Sequence, residues 1–153
     1  MKAILALDLG SKTGWATQEP GGRVTSGVQE FALQRGESAG MRFIRFNRWL
    51  REMLADVKPS LVVYEMPHMR GGYATDLLVG FMTRIQEACV EQGIKDYRGV
   101  HSMTLKKATC GSGKADKAKM IEWAAKRYGK EAAKLDDNEA DALCLLAYAE
   151  RES

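Results

Sequence analysis

The chain has 153 residues, 45% of them hydrophobic and 28% charged, and 23 basic against 20 acidic side chains leave a formal net charge of +3. That length buries a core without disulfides or a structural metal, so a single domain over 1–153 is the expectation, and the balance excludes a disordered chain. No apolar run approaches the roughly 20 residues needed to span a membrane. The apolar run near the amino terminus breaks at Asp8 and Gly10 without a small-residue cleavage pattern, so no signal peptide is expected and the cytoplasm is the expected location. Cys89, Cys110 and Cys144 are odd in number and form no CxxC pair, which makes them reduced thiols: Cys89 and Cys144 in helical core patterns, Cys110 in a loop.

Residues 2–9 (KAILALDL) form a short apolar run ending in an acid and a glycine, the pattern of a buried central strand that opens onto a site. A tight turn is expected over 10–14. Residues 15–18 and 23–31 are separated by Glu19-Pro20-Gly21-Gly22, a reversal signal, so the first three strands read as an antiparallel meander. Over 41–57 the period changes. Phe43, Ile44, Phe46, Leu50, Met53, Leu54 and Val57 recur every three or four residues, an amphipathic helix with an arginine-rich outer face that Pro59 ends.

Residues 60–64 (SLVVY) are a second buried strand, ending in Glu65-Met66-Pro67. A loop at Arg70-Gly71-Gly72 precedes a long helix over 73–92 that Gly93 caps. This helix carries more apolar positions than one buried stripe requires, including Val79 and Phe81 beside Leu78, Met82 and Ile85; a dimer face and a fully buried core helix are both compatible with it. A short strand over 97–101, a basic helix over 114–128 and an Ala/Leu-rich helix over 138–151 complete the chain. The order predicts an α/β fold with a mixed sheet covered by helices on both faces.

Asp8 and Glu65 each close an uninterrupted hydrophobic run, and Asp141 interrupts an otherwise apolar one, Ala140 to Leu146. Buried unpaired, such acids are costly; gathered together, they make a ligand set for Mg²⁺, which prefers oxygen donors. Two such ions about 4 Å apart supply what phosphodiester hydrolysis needs.

Three segments carry a family resemblance. AILALDLGSKTGWA, VVYEMP and DDNEADALCLLAYA resemble, in order and spacing, the acidic motifs of RuvC-like Holliday-junction resolvases. The resemblance implies an RNase H-like fold with a five-stranded mixed sheet, a homodimer, and Mg²⁺-dependent (or Mn²⁺-dependent) paired cleavage of four-way and related branched DNA, with two ions per site. It maps the catalytic and metal-binding acids onto Asp8, Glu65 and Asp141. Three residues before the last acid the family has Asp or His, whereas this chain has Asn138, a neutral ligand and the nominal fourth site residue. Asp137 is the alternative, on roughly the same helical face. Asp136 and Glu139 read as a helix-capping pair.

Basic residues concentrate between 103 and 130. Lys106, Lys107, Lys114, Lys117 and Lys119 flank a Gly-Ser-Gly loop and a helix start, where ammonium groups and backbone N–H groups can approach phosphate oxygens. The resemblance implies DNA contact at Lys106 and Lys117, and junction engagement by His68, Arg70 and Tyr73 in the loop after Glu65. CGSGKADK lacks the spacing of a nucleotide-binding P-loop, so no nucleotide cofactor is expected. Three rival readings remain: an actin- or Hsp70-like ATPase, for which one domain is too short; an RNase H acting on RNA–DNA hybrids; and a non-catalytic branched-DNA binder, which the neutral Asn138 permits.

Overall fold

The computed structural model describes residues 1–67 and 72–153, with the backbone alone for Tyr73 and Ala74. Its strands are β1 (Ile4–Asp8), β2 (Lys12–Gln18), β3 (Val24–Glu30), β4 (Leu61–Glu65) and β5 (Asp96–Val100). The helices are α1 (Gly40–Val57), α2 (Tyr73–Glu91), α3 (Ser102–Cys110), α4 (Lys117–Tyr128) and α5 (Asp137–Glu152), with a 3₁₀ turn at Ala132–Lys134. The sheet order is β3-β2-β1-β4-β5. β1, β2 and β3 pair antiparallel, as the meander requires, while β4 and β5 run parallel to β1. The expected mixed five-stranded sheet is present.

Side-chain alternation divides the core between the two faces. Ile4 and Ala6 of β1 and Leu61 and Val63 of β4 face one way, against Met120, Ala124, Leu143 and Leu146 of α4 and α5. Leu5, Leu7, Val62 and Tyr64 face the other way, against Phe46, Leu50, Phe81 and Ile85 of α1 and α2. On that second face Phe46 and Phe81 stack with ring centroids 4.1 Å apart. Phe81 and Ile85 are therefore core side chains rather than part of an outer face of α2, whereas Leu78, Val79 and Met82 are only half-buried. α5 lies between the sheet and α4, which explains why its apolar residues run all round it instead of along one stripe.

Three boundaries differ from expectation. β2 begins at Lys12, so Gly14 is a strand residue and not part of the turn over 10–14. α3 occupies a stretch read as loop; its nine residues include Ser, Thr and Cys, weak helix formers, and give too few turns for a visible period. Cys110 consequently ends a helix, with Gly111 in the left-handed conformation (φ +81°) as its cap. α4 begins at Lys117 rather than Lys114, because Asp116 caps it by accepting a hydrogen bond from the Lys119 N–H at 2.9 Å.

Candidate metal centre and nucleic-acid interface

Asp8 continues the series Ile4, Ala6 and Glu65 continues Leu61, Val63, so both carboxylates point to the α5 side of the sheet. β1 and β4 are parallel neighbours, and both end at the same edge. Ligand sites in open α/β sheets form there, beyond the carboxyl ends of parallel strands. The third acid comes from α5. Its first turn approaches β2 so closely that a Cβ on Gly14 would overlap the Asn138 carbonyl and come within 3.0 Å of the Glu139 nitrogen. Gly14 is the cross-strand partner of Asp8. The missing side chain thus lets α5 settle beside Asp8, and Asp141 arrives one turn later.

Ligand atoms of Asp8, Glu65 and Asp141 all lie within 4.8 Å of one another. Asp8 is 8% exposed. Burial, and then the neighbouring Asp141 and Glu65 carboxylates, push the Asp8 carboxyl well above the usual range, and its carboxyl is within hydrogen-bonding reach of Glu65. Burial and the charges of Glu65 and Asp137 push Asp141 up to about 7, opposed by Lys106 and Lys117. Three converging carboxylates with little solvent fit a divalent, oxygen-preferring cation, whose charge would offset both burial and mutual repulsion. The cavity beside them is small, about 100 Å³, lined by Asp8, Leu9, Glu65, Met66, Pro67 and Leu78. A larger cleft of about 680 Å³ lies at the opposite edge, among Leu54, Lys58, Gly93 and Lys95, with no acid cluster. A shallow site at a sheet edge suits one phosphate of a long polymer better than an engulfed small molecule.

The start of α5 is tied down by its own acids. Asp136 caps the helix, accepting from the Asn138 N–H at 2.7 Å, as the sequence pattern predicts. Glu139 departs from the capping box: it accepts from the Ser26 hydroxyl of β3 at 2.6 Å. Asp137 forms an ion pair with Lys117 at 3.4 Å, and Asp136 forms one with Lys12 at 3.1 Å. Asn138 lies in this first turn, half-buried.

Of the lysines picked from the sequence, Lys106 and Lys117 have charges that act on Asp141. Lys107, Lys114 and Lys119 are exposed on α3, the α4 approach and α4. The amide seat expected at the α4 start is partly taken, since the Asp116 carboxylate occupies the Lys119 N–H. His68 and Arg70 lie outside the described residues, as does the Tyr73 side chain. Gly14 was missed as a residue that shapes the site because 10–14 reads as a turn. An isolated glycine followed by Trp15 and Ala16 was the available signal, since glycine inside a strand marks close backbone approach.

No protein-family model matches the sequence, and no curated protein matches it. Solved structures do match. Thermus thermophilus RuvC superposes with a TM-score of 0.75 at 20% identity, over 98% of this chain and 96% of that one. T. thermophilus RuvC in complex with a Holliday junction substrate gives 0.80 at 19% identity, over 99% and 97%. The yeast mitochondrial Holliday junction resolvase Ydc2 gives 0.56 at 14% identity, over 93% and 76%. Over nearly its whole length the chain therefore has the RNase H-like fold of the RuvC Holliday junction resolvases.

Proposed function

We propose that this protein is a metal-dependent, structure-selective endonuclease that resolves four-way DNA junctions and related branched DNA by paired phosphodiester hydrolysis. The carrying observation is the convergence of Asp8, Glu65 and Asp141, from two strand ends and a helix, to within 4.8 Å. Mg²⁺, with Mn²⁺ as a substitute and two ions per site, is the cofactor in this reading, and Asn138 stands as a fourth, neutral ligand. Divalent cations held there would stabilise charge at the scissile phosphate and lower the pKa of an attacking water. The chain's own groups do the rest. Asp8 and Glu65 present oxygen donors from the rigid parallel pair of strands, and Asp141 adds one from a helix clamped by Ser26 and Gly14.

Lys106 and Lys117 set positive charge beside the acids, where a phosphodiester backbone would lie, and Lys107, Lys114 and Lys119 extend that surface. His68, Arg70 and Tyr73, in the segment after β4, are proposed to engage the junction. The choice of a junction over an RNA–DNA hybrid is supported by the TM-score of 0.80 to a RuvC bound to a Holliday junction substrate. A two-fold dimer through the half-buried Leu78, Val79 and Met82 of α2 would present two sites for two cuts. The free thiols agree with action in the cytoplasm, and no helix among the described residues is long and apolar enough to cross a membrane.

The test incubates purified protein with a synthetic four-way junction, linear duplex or RNA–DNA hybrid, in Mg²⁺, Mn²⁺ or EDTA, beside Asp8→Asn. Symmetric, cation-dependent nicking of the junction alone, lost in the variant, is the expected result. Junction binding without nicking would overturn the nuclease reading, and preferential hybrid cleavage would replace it with an RNase H activity.

A further inference from the structure

Lys12 lies at the start of β2, two residues before Gly14, and so faces the same side of the sheet as Gly14 and its partner Asp8. At the strand rise, the Lys12 backbone stands about 7 Å beyond Asp8 along the sheet, past the edge where β1 and β4 end. Its ammonium is held by Asp136 at 3.1 Å. The next residue, Asp137, holds Lys117 at 3.4 Å. One lysine comes from the sheet below the first turn of α5, the other from α4 above it.

We propose that Lys12 is a further contact for the nucleic-acid backbone, held beside the acid cluster by Asp136 and opposed by Lys117 on the other flank of α5. This rests on the reading of the site as one for phosphodiesters. Two features distinguish the arrangement from ordinary surface ion pairing. Asp136 and Asp137 would otherwise present two extra negative charges to a polyanion at the mouth of the site, and each is matched by a lysine from a different element. Both lysine side chains are also open to solvent, 49% for Lys12 and 83% for Lys117, so either ammonium can reach a phosphate oxygen without leaving a buried pair behind. A backbone running over the acids would meet Lys117 on one side and Lys12 on the other.

The experiment measures binding of a fluorescent four-way junction, without cleavage in EDTA, across a series of salt concentrations. Wild type, Lys12→Gln, Lys12→Arg and Lys95→Gln are compared; Lys95 is exposed at the opposite edge of the sheet, just before β5. Lys12→Gln should bind several-fold more weakly, with a slope of log affinity against log salt lower by about one. Lys12→Arg should restore both values, and Lys95→Gln should match wild type. Should Lys12→Gln lose thermal stability, Lys12→Met, which keeps the aliphatic stem, takes its place. Wild-type affinity and slope in the uncharged variant, with wild type binding normally, would overturn this inference alone. Failure of wild type to bind the junction at any salt concentration would overturn the junction reading itself.

Discussion

Gly14 and Asn138 touch through their backbones: the space a Gly14 Cβ would fill is held by the Asn138 carbonyl. This contact between the second strand and the first turn of the last helix sets how near Asp141 comes to Asp8, the cross-strand partner of Gly14. Gly14→Ala should accordingly push α5 outward. The expected outcome is a loss of about 1–3 kcal/mol of stability, typical of overpacking, with junction cleavage falling at least tenfold. Thermal melts beside a nicking assay test it; an alanine variant with wild-type melting and cleavage would show that the contact does not position the site.

The acid cluster should make the cation-free protein sensitive to pH. Asp141 is raised from an ordinary 3.8 to about 7, and Asp8 is raised as well, so the native state holds protons that the unfolded chain releases. A raised folded-state value contributes stability that is complete below the unfolded value and lost as pH rises through the folded one. Between about pH 4 and pH 7, then, this contribution declines. In EDTA at pH 8, Asp141→Asn should be more stable than wild type by roughly 2–4 kcal/mol, an advantage that shrinks toward pH 5. Melting curves of the pair at both pH values decide it, and a destabilised asparagine variant at pH 8 would contradict the electrostatic account.

Cation binding should reverse that penalty. At pH 8, millimolar Mg²⁺ or Mn²⁺ is expected to raise the melting temperature of wild type through preferential binding to the native state. Asp8→Asn, Glu65→Gln and Asp141→Asn should each lose most of the shift. A shift that survives all three substitutions would place the cation elsewhere.

Asn138 lies one turn before Asp141, in the helix turn that packs on Gly14. Asn138→Asp adds a carboxylate at the position proposed for a neutral fourth ligand. The Mg²⁺ concentration giving half the maximal melting shift should fall severalfold, while melting in EDTA should move lower because a fourth negative charge joins the cluster. An unchanged titration would remove residue 138 from the metal site.

Much of this is written in local pattern. The runs ending at Asp8 and Glu65 name two buried strands and two edge acids, since only a strand buried on both faces stays apolar without alternation. The Pro20-Gly21-Gly22 reversal names the meander. α3 is invisible because a nine-residue segment of weak helix formers depends on packing by Leu105 beneath it rather than on propensity. The role of Phe81 was open for a related reason: periodicity shows that a side chain is apolar, not whether α1 or a second chain covers it.

By itself, then, the sequence determined every element type but that of α3, together with the mixed sheet and the three acids, because burial on a strand or helix leaves a period in the residues that form it. Only the tertiary structure decided how those acids meet and what surrounds them. Gly14 under Asn138, Ser26 on Glu139, Lys12 on Asp136 and Lys117 on Asp137 join residues up to 124 positions apart. Contacts at that separation depend on where whole elements come to rest, and no local periodicity encodes them.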